Sequence, residues 1–222
     1  YSFLLLLLYD ILFLIFKLVI PDYLRFILSI ENIRYYISFV FIAIISLLIV
    51  SGFNNAQTHK VKEIKIKGLH EGKKTLSKPY RIAYASDLHI NDLFFPNAVK
   101  DLVENINKAD VDLVLFGGDV FTEDVAHLAY HDSGEYLKQI KSRYGVYTVY
   151  GNHEYIGNLK SAINHFQSYH IKILADSSIV INNELSITGR DDLSAERFFN
   201  KKRATLTDLL IPETDSLFSI LI

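Results

Sequence analysis

Apolar positions fall along this chain in two rhythms, continuous at the start and periodic afterwards. Residues 3–20 and 37–53 are apolar runs of eighteen and seventeen positions; Asp10 and Lys17 interrupt the first, and the second carries no charge. Both approach the length at which a helix crosses a hydrocarbon core. From residue 61, Val61, Ile64 and Ile66 interleave with charged residues in the stretch VKEIKIKG, the pattern of a half-exposed strand. Beyond residue 80 short apolar runs alternate with helical periodicity. The spacing predicts strands over 80–85, 113–116 and 146–149, and helices over 97–109, 133–144 and 158–169. Residues 178–181 and 185–188 flank Asn182, Asn183 and Glu184 as a hairpin, and 217–222 read as a last strand. Short strands alternating with helices predict a layered α/β fold.

Charge sharpens the division. Of 48 charged residues only six (Asp10, Lys17, Asp22, Arg25, Glu31 and Arg34) lie within the first 53. Residues 1–53 therefore read as a membrane anchor of two transmembrane helices, 54–79 as a linker with a first strand, and 80–222 as one domain. A cleavable signal peptide would explain one run, but the first has no basic leader and two runs joined by a short loop fit a hairpin anchor better; a buried helical core is the plainer alternative, which the run lengths and low charge disfavour. Asp10 counts against the first span, since a carboxylate in hydrocarbon is costly. Tyr9, Tyr35 and Tyr36 stand where interfacial aromatics would. The loop before the second run offers Arg25 and Arg34, and the segment after it Lys60, Lys62, Lys65 and Lys67, which places the following domain on the cytoplasmic side. The same lysines are equally the solvent face of the strand over 61–66. The chain has no cysteine, which excludes disulfides, thiolate metal sites and a cysteine nucleophile. A net charge of -2 provides no basic footprint for nucleic acid. With no methionine and Tyr1 at its start, the chain is expected to be an interior piece of a longer protein.

The chemistry sits at the strand ends. The first strand runs into Ser86-Asp87-Leu88-His89, the second into Gly117-Gly118-Asp119, and the third into Gly151-Asn152-His153-Glu154. In an open α/β sheet the crevice at the carboxyl ends of the strands is where ligands bind, so these groups can converge although more than thirty residues separate each pair. Singly each has a plain structural reading: Asp87 as a helix N-cap, Gly-Gly-Asp as a turn, His153 as a surface or core histidine. Their ordered recurrence at three successive strand ends is the signal.

Together these blocks resemble those of the calcineurin-like metallophosphoesterase superfamily, whose order is D-x-H, then G-D, then G-N-H-[ED]. The resemblance covers residues 80–222. It implies a layered α/β fold, a β-sandwich flanked by helices, here C-terminally truncated and preceded by the transmembrane helices. It also implies two divalent ions, with Asp87 and His89 binding one, Asp119 bridging both and Asn152 binding the second. A carboxylate between two dications offsets their repulsion, and a mixed oxygen and imidazole set suits Mn, Fe or Zn better than Mg or Ca. Water held there loses its proton near neutral pH, and the hydroxide attacks phosphorus in line. His153 is then the catalytic residue beside the phosphate rather than a ligand, with Asp87 or Glu154 fixing its tautomer.

The superfamily's later blocks supply three further histidine ligands, and the sequence stops at the strand over 217–222. His127, His131, His165 and His170 are not in such contexts: His165 and His170 read as surface residues, while His127 and His131 follow the bridging loop at the substrate mouth. The 222 residues by themselves are accordingly expected to bind metal weakly and to be inactive. The anchor and the stretch YASDLHI resemble the bacterial membrane-associated branch, which implies a phosphodiester, pyrophosphate or nucleotide-linked lipid substrate at the cytoplasmic membrane and no nucleic-acid partner. Gly189-Arg190-Asp191-Asp192 resembles that branch's G-x-D-D segment near the site; a helix start before LSAERFF explains Asp191 and Asp192 equally well. Lys201, Lys202 and Arg203 are either an attraction for anionic head groups or a solvated face. The rival to an enzyme is a membrane scaffold that keeps the fold without the chemistry.

Overall fold

The computed structural model describes residues 7, 10, 11, 14, 15, 31–56, 60–66, 76–90, 96–122, 133–209 and 216–222. Two compact units are present, Tyr1–Ala56 and Gln57–Ile222. The first contains α1 (Glu31–Ala56), whose 26 residues give a rod of about 39 Å at 1.5 Å per residue. Apolar side chains cover every side of it: Phe39, Leu47, Leu48 and Ile49 are each at least 65% exposed. Among the described residues it is the one helix long and apolar enough to cross a membrane, over Tyr35–Asn55, and none of that span is buried as the helix of a soluble core would be. The second apolar run lies within α1, whereas the run over 3–20 lies outside the described residues apart from five positions.

The second unit is an α/β domain in two sheets. Strands β1 (Ile82–Ala85), β2 (Leu113–Phe116), β3 (Val146–Thr148) and β4 (Ile171–Ile173) form a parallel sheet in that order. Between them run α2 (Pro96–Lys108), a 3-10 helix (Ser133–Gln139), α3 (Asn152–Ile156) and α4 (Leu159–Ser168). A second sheet holds β5 (Ser177–Ile181), β6 (Leu185–Gly189) and β7 (Phe218–Leu221); β5 and β6 are an antiparallel hairpin, and β7 lies parallel to β6. Asn182 and Asn183 turn the hairpin at φ 52° and 54°, a region asparagine tolerates. Helices α5 (Ser194–Phe199) and α6 (Leu206–Leu209) lie between β6 and β7.

Every residue of β2 is buried, and alternation sends its side chains into two cores. Val114 and Phe116 pack with Val103, Ile106 and Phe166 of the helices. Leu113 and Leu115 meet Leu174, Leu185 and Ile187 across the gap between the sheets. The sheets thus form the expected sandwich, flanked by helices on the outer face of the parallel sheet.

Three local expectations differ. Residues 133–139 are 3-10 rather than α: Ile140 N bonds the carbonyl of Leu137, three residues back, and a Cβ on Gly134 would meet the Tyr169 ring at 2.6–2.9 Å, so this segment is drawn tight against a neighbour. Residues 60–66 form no strand; Val61, Ile64 and Ile66 are 73%, 68% and 78% exposed, so alternation there has no sheet to face. Strand β4, three residues long, escapes notice because IKI carries too little pattern.

Candidate metal centre

Because β1, β2 and β3 are adjacent and parallel, their carboxyl ends deliver three loops to one edge. The first two loops continue side by side. Gly117 N donates to Ala85 O at 2.9 Å, Asp87 N to Gly118 O at 3.1 Å, His89 N to Asp119 O at 3.0 Å and Ile90 N to Val120 O at 2.8 Å. This irregular ladder holds Asp87, His89 and Asp119 at φ 54°, 48° and 51°, the left-handed region that non-glycine residues seldom occupy. The third loop is brought in by glycines. At Gly118, with φ 91°, a Cβ would lie 2.8 Å from Gly151 N. A Cβ on Gly151 would lie 2.1 Å from Asp119 Oδ1.

His89, Asp119 and His153 each offer a ligand atom, and these atoms all lie within 4.8 Å of one another. The two imidazoles stand edge to face, centroids 4.6 Å apart at 86°. Asp119 Oδ1 also accepts from His153 N at 2.9 Å. Asp87 is exposed on the same loop as His89, accepts from Ser86 Oγ, and its carboxylate lies outside that triplet. Asn152 is exposed at the first position of α3. The fold therefore gathers His89, Asp119 and His153, with Asp87 on the loop of His89 and Asn152 next to His153 at the start of α3. Nitrogen and oxygen ligands bind transition ions at about 2.0–2.2 Å, so ligands of a common ion sit roughly 3–4 Å apart. With the triplet's atoms within 4.8 Å of one another, His89 and Asp119 can share an ion with His153 beside it, and the nitrogen and oxygen donors suit Mn, Fe or Zn.

His153 Nδ1 lies 2.9 Å from Thr122 O. A carbonyl oxygen only accepts, so Nδ1 carries a proton and Nε2 is the nitrogen left for chemistry. This corrects the expectation that Asp87 or Glu154 fixes the tautomer by a direct bond to the ring. Thr122 leaves no mark in the sequence, since the group involved is a backbone carbonyl that any residue carries. Glu154 is instead buried and accepts four backbone N–H groups, from Asp119, Val120, Phe121 and Gly151. Burial pushes its carboxyl above the ordinary glutamate value, against the lowering effect of those N–H donors.

Behind α3, Asp191 is 0% exposed and accepts from Tyr155 Oη, from Asp192 N at 3.0 Å and from Lys201 Nζ at 2.7 Å. Asp192 Oδ1 accepts from Ser194 N at 2.8 Å in the turn that leads into α5, one residue ahead of the N-cap Leu193, whereas Asp191 is a buried anchor between α3 and the segment after α5. Burial, then the Asp191 and Glu154 charges, pushes the Tyr150 hydroxyl up to about 12. Burial and the bond to Asp191 push Tyr155 up as well. Lys201 is committed to Asp191 rather than to a free basic patch. His165 is half-buried with Nδ1 2.9 Å from Ser161 O, and His170 is exposed. His127 and His131 lie outside the described residues.

The profile of a family described as calcineurin-like phosphoesterase matches residues 80–216. An uncharacterized metallophosphoesterase of Helicobacter pylori is 29% identical over 104 residues, 47% of this chain and 28% of the relative. One of Aquifex aeolicus is 26% identical over 117 residues, 53% of this chain and 44% of its own. A putative metallophosphoesterase of Caenorhabditis elegans is 32% identical over 120 residues, 52% of this chain and 24% of its own. The chain thus spans less than half the length of these relatives.

Proposed function

The chain belongs to the calcineurin-like phosphoesterase family, and from that premise we propose that it is the membrane-anchored part of a two-metal phosphoesterase that hydrolyses a phosphodiester or pyrophosphate bond. The observation that carries this reading is the convergence of His89, Asp119 and His153 at three parallel strand ends. Asp119 would lie between the ions, with Asp87 and His89 on one side and Asn152 on the other. When bound, such a pair of ions supplies an acidified water and neutralises phosphoryl oxygens. Asp119, held by the backbone N–H of His153, presents its carboxylate in one orientation. His153, its Nδ1–H donated to the Thr122 carbonyl, keeps Nε2 for the phosphate: with the ring doubly protonated, Nε2–H stabilises the reacting phosphate or passes its proton to the leaving oxygen.

Anchoring by α1, a cytoplasmic domain and the bacterial membrane-associated branch with its nucleotide-linked lipid substrates belong to the same proposal, supported by the apolar span and the lysines that follow it. The test is Mn-dependent hydrolysis of bis-p-nitrophenyl phosphate by the full-length protein. Asp119→Ala and His153→Ala are each expected to reduce the rate at least a hundredfold, in line with the 10²–10⁴-fold worth of a positioned proton donor or acceptor. Unchanged rates in both variants would remove the mechanism and leave the scaffold.

A further inference from the structure

We propose that Glu154 is a positioning residue of the metal centre, whose carboxylate sets the place of Asp119 and, through residues 120–122, the ring of His153. The proposal rests on the reading of the centre given above. Glu154 is 1% exposed, and its carboxylate accepts from both the second and the third loop. Oε2 accepts from Gly151 N at 2.8 Å and Asp119 N at 3.0 Å; Oε1 accepts from Val120 N at 2.8 Å and Phe121 N at 3.1 Å. Past the end of β2 the chain passes through positive φ at Gly118 and Asp119, and the next N–H groups turn together towards one point. Successive N–H groups in such a turn form a concavity suited to an anion. Here the chain supplies that anion itself, from the residue next to His153.

The contacts close a circuit. Glu154 holds residues 119–121 by their N–H groups, Thr122 follows directly and holds His153 Nδ1 through its carbonyl, and Asp119 Oδ1 receives His153 N. His153 is joined covalently to Glu154. Each member of the candidate centre on the second and third loops is therefore located relative to a single carboxylate. Groups that orient metal ligands in this way change metal affinity or activity by about 10–100-fold when altered.

An amide cannot replace that carboxylate. Glutamine offers one acceptor oxygen and one NH₂, so one pair of N–H donors would face another donor. Aspartate keeps the charge and both oxygens but is one methylene shorter. Mn²⁺ titration of the full-length protein, followed by the electron paramagnetic resonance signal of free Mn²⁺, distinguishes the cases at temperatures where circular dichroism shows each variant folded. Glu154→Gln is expected to bind Mn²⁺ at least tenfold more weakly and to lose kcat with KM within about twofold of the parent, and Glu154→Asp, one methylene short of the four N–H groups, to lose affinity only several-fold. Wild-type affinity in folded Glu154→Gln would overturn the proposal. Should Glu154→Gln not fold, Glu154→Asp decides: a several-fold loss of Mn²⁺ affinity supports the role, and an unchanged affinity overturns it. Asp119→Ala separates the two levels of inference. If it binds Mn²⁺ like the parent, the metal centre itself is misread; if it loses binding while Glu154→Gln retains it, only the positioning role fails.

Discussion

At the scale of single residues, the site is a place where backbone conformation has been forced. Asp87, His89 and Asp119 all occupy left-handed φ, at a cost of about 1–2 kcal/mol for each L-residue. The ladder between the first two loops and the four N–H bonds to Glu154 hold them there. Gly151 is the point at which this arrangement has no slack, although its own φ of -102° is ordinary. What it requires is space, since an added Cβ would sit 2.1 Å from Asp119 Oδ1 and 2.5 Å from Asp119 N. Gly151→Ala is therefore expected to displace Asp119 and weaken Mn²⁺ binding about tenfold or more while the domain stays folded, as a metal titration would show. Gly145→Ala is the contrast. Its φ of 104° penalises any side chain, by about 1 kcal/mol or more, yet it stands just before β3 at the far end of the strand, so stability should fall and Mn²⁺ affinity should not. If the two variants behave alike, the close approach at Gly151 has no special role. The residues Asp87, His89, Asp119, Asn152 and His153 were all legible as an ordered pattern. The Thr122 carbonyl and the task of Glu154 were not, because hydrogen bonding to backbone depends on where loops meet rather than on residue type.

At the scale of elements, the parallel sheet does two jobs at opposite ends of its strands. The carboxyl ends present the centre, and the amino ends are clamped by charge. Asp112, at the entrance of β2, accepts from Lys78 Nζ at 2.8 Å and Arg81 N at 3.1 Å, with Arg143 at 3.3 Å. The hydrogen bond from Lys78 foremost, with Arg81 and Arg143 adding to it and burial opposing, holds the Asp112 carboxyl below its ordinary value of 3.8. A carboxyl depressed in the folded state stabilises fully above its unfolded value, and that contribution is lost as pH falls through the folded one. Asp112→Asn should accordingly lower the melting temperature at neutral pH and match the parent once both are measured well below pH 3.8. A melting temperature unchanged at neutral pH would show that the clamp is idle. Strand β2 was legible to the residue, because four apolar positions in succession fit a strand buried on both faces. The 3-10 helix and the unpaired stretch over 60–66 were not, since each turned on what the segment packs against.

At the scale of the whole molecule, the described residues combine one long apolar helix and one α/β domain with opposite solvent preferences. α1 exposes apolar side chains all round, a surface that water does not tolerate and a bilayer does. The protein should remain with membranes through an alkaline carbonate wash, and a protease added to right-side-out vesicles should leave the domain intact while inverted vesicles expose it to cleavage. Release by carbonate would end the anchoring proposal; cleavage in right-side-out vesicles would reverse the orientation inferred from Lys60, Lys62, Lys65 and Lys67. The sequence by itself determined the split between an apolar N-terminal stretch and a charged α/β part, the alternation of strand and helix, and the order in which the candidate ligands arrive, because charge density, periodicity and motif spacing are properties of neighbouring residues. Only the tertiary structure decided that three loops meet through glycines with no room for a Cβ, that His153 leans on a carbonyl, that Asp191 is buried against Tyr155 and Lys201, and that one carboxylate ties the second and third loops together. These are contacts between segments thirty or more residues apart in several cases, and linear pattern carries no record of which backbone groups will face one another after the sheet has formed.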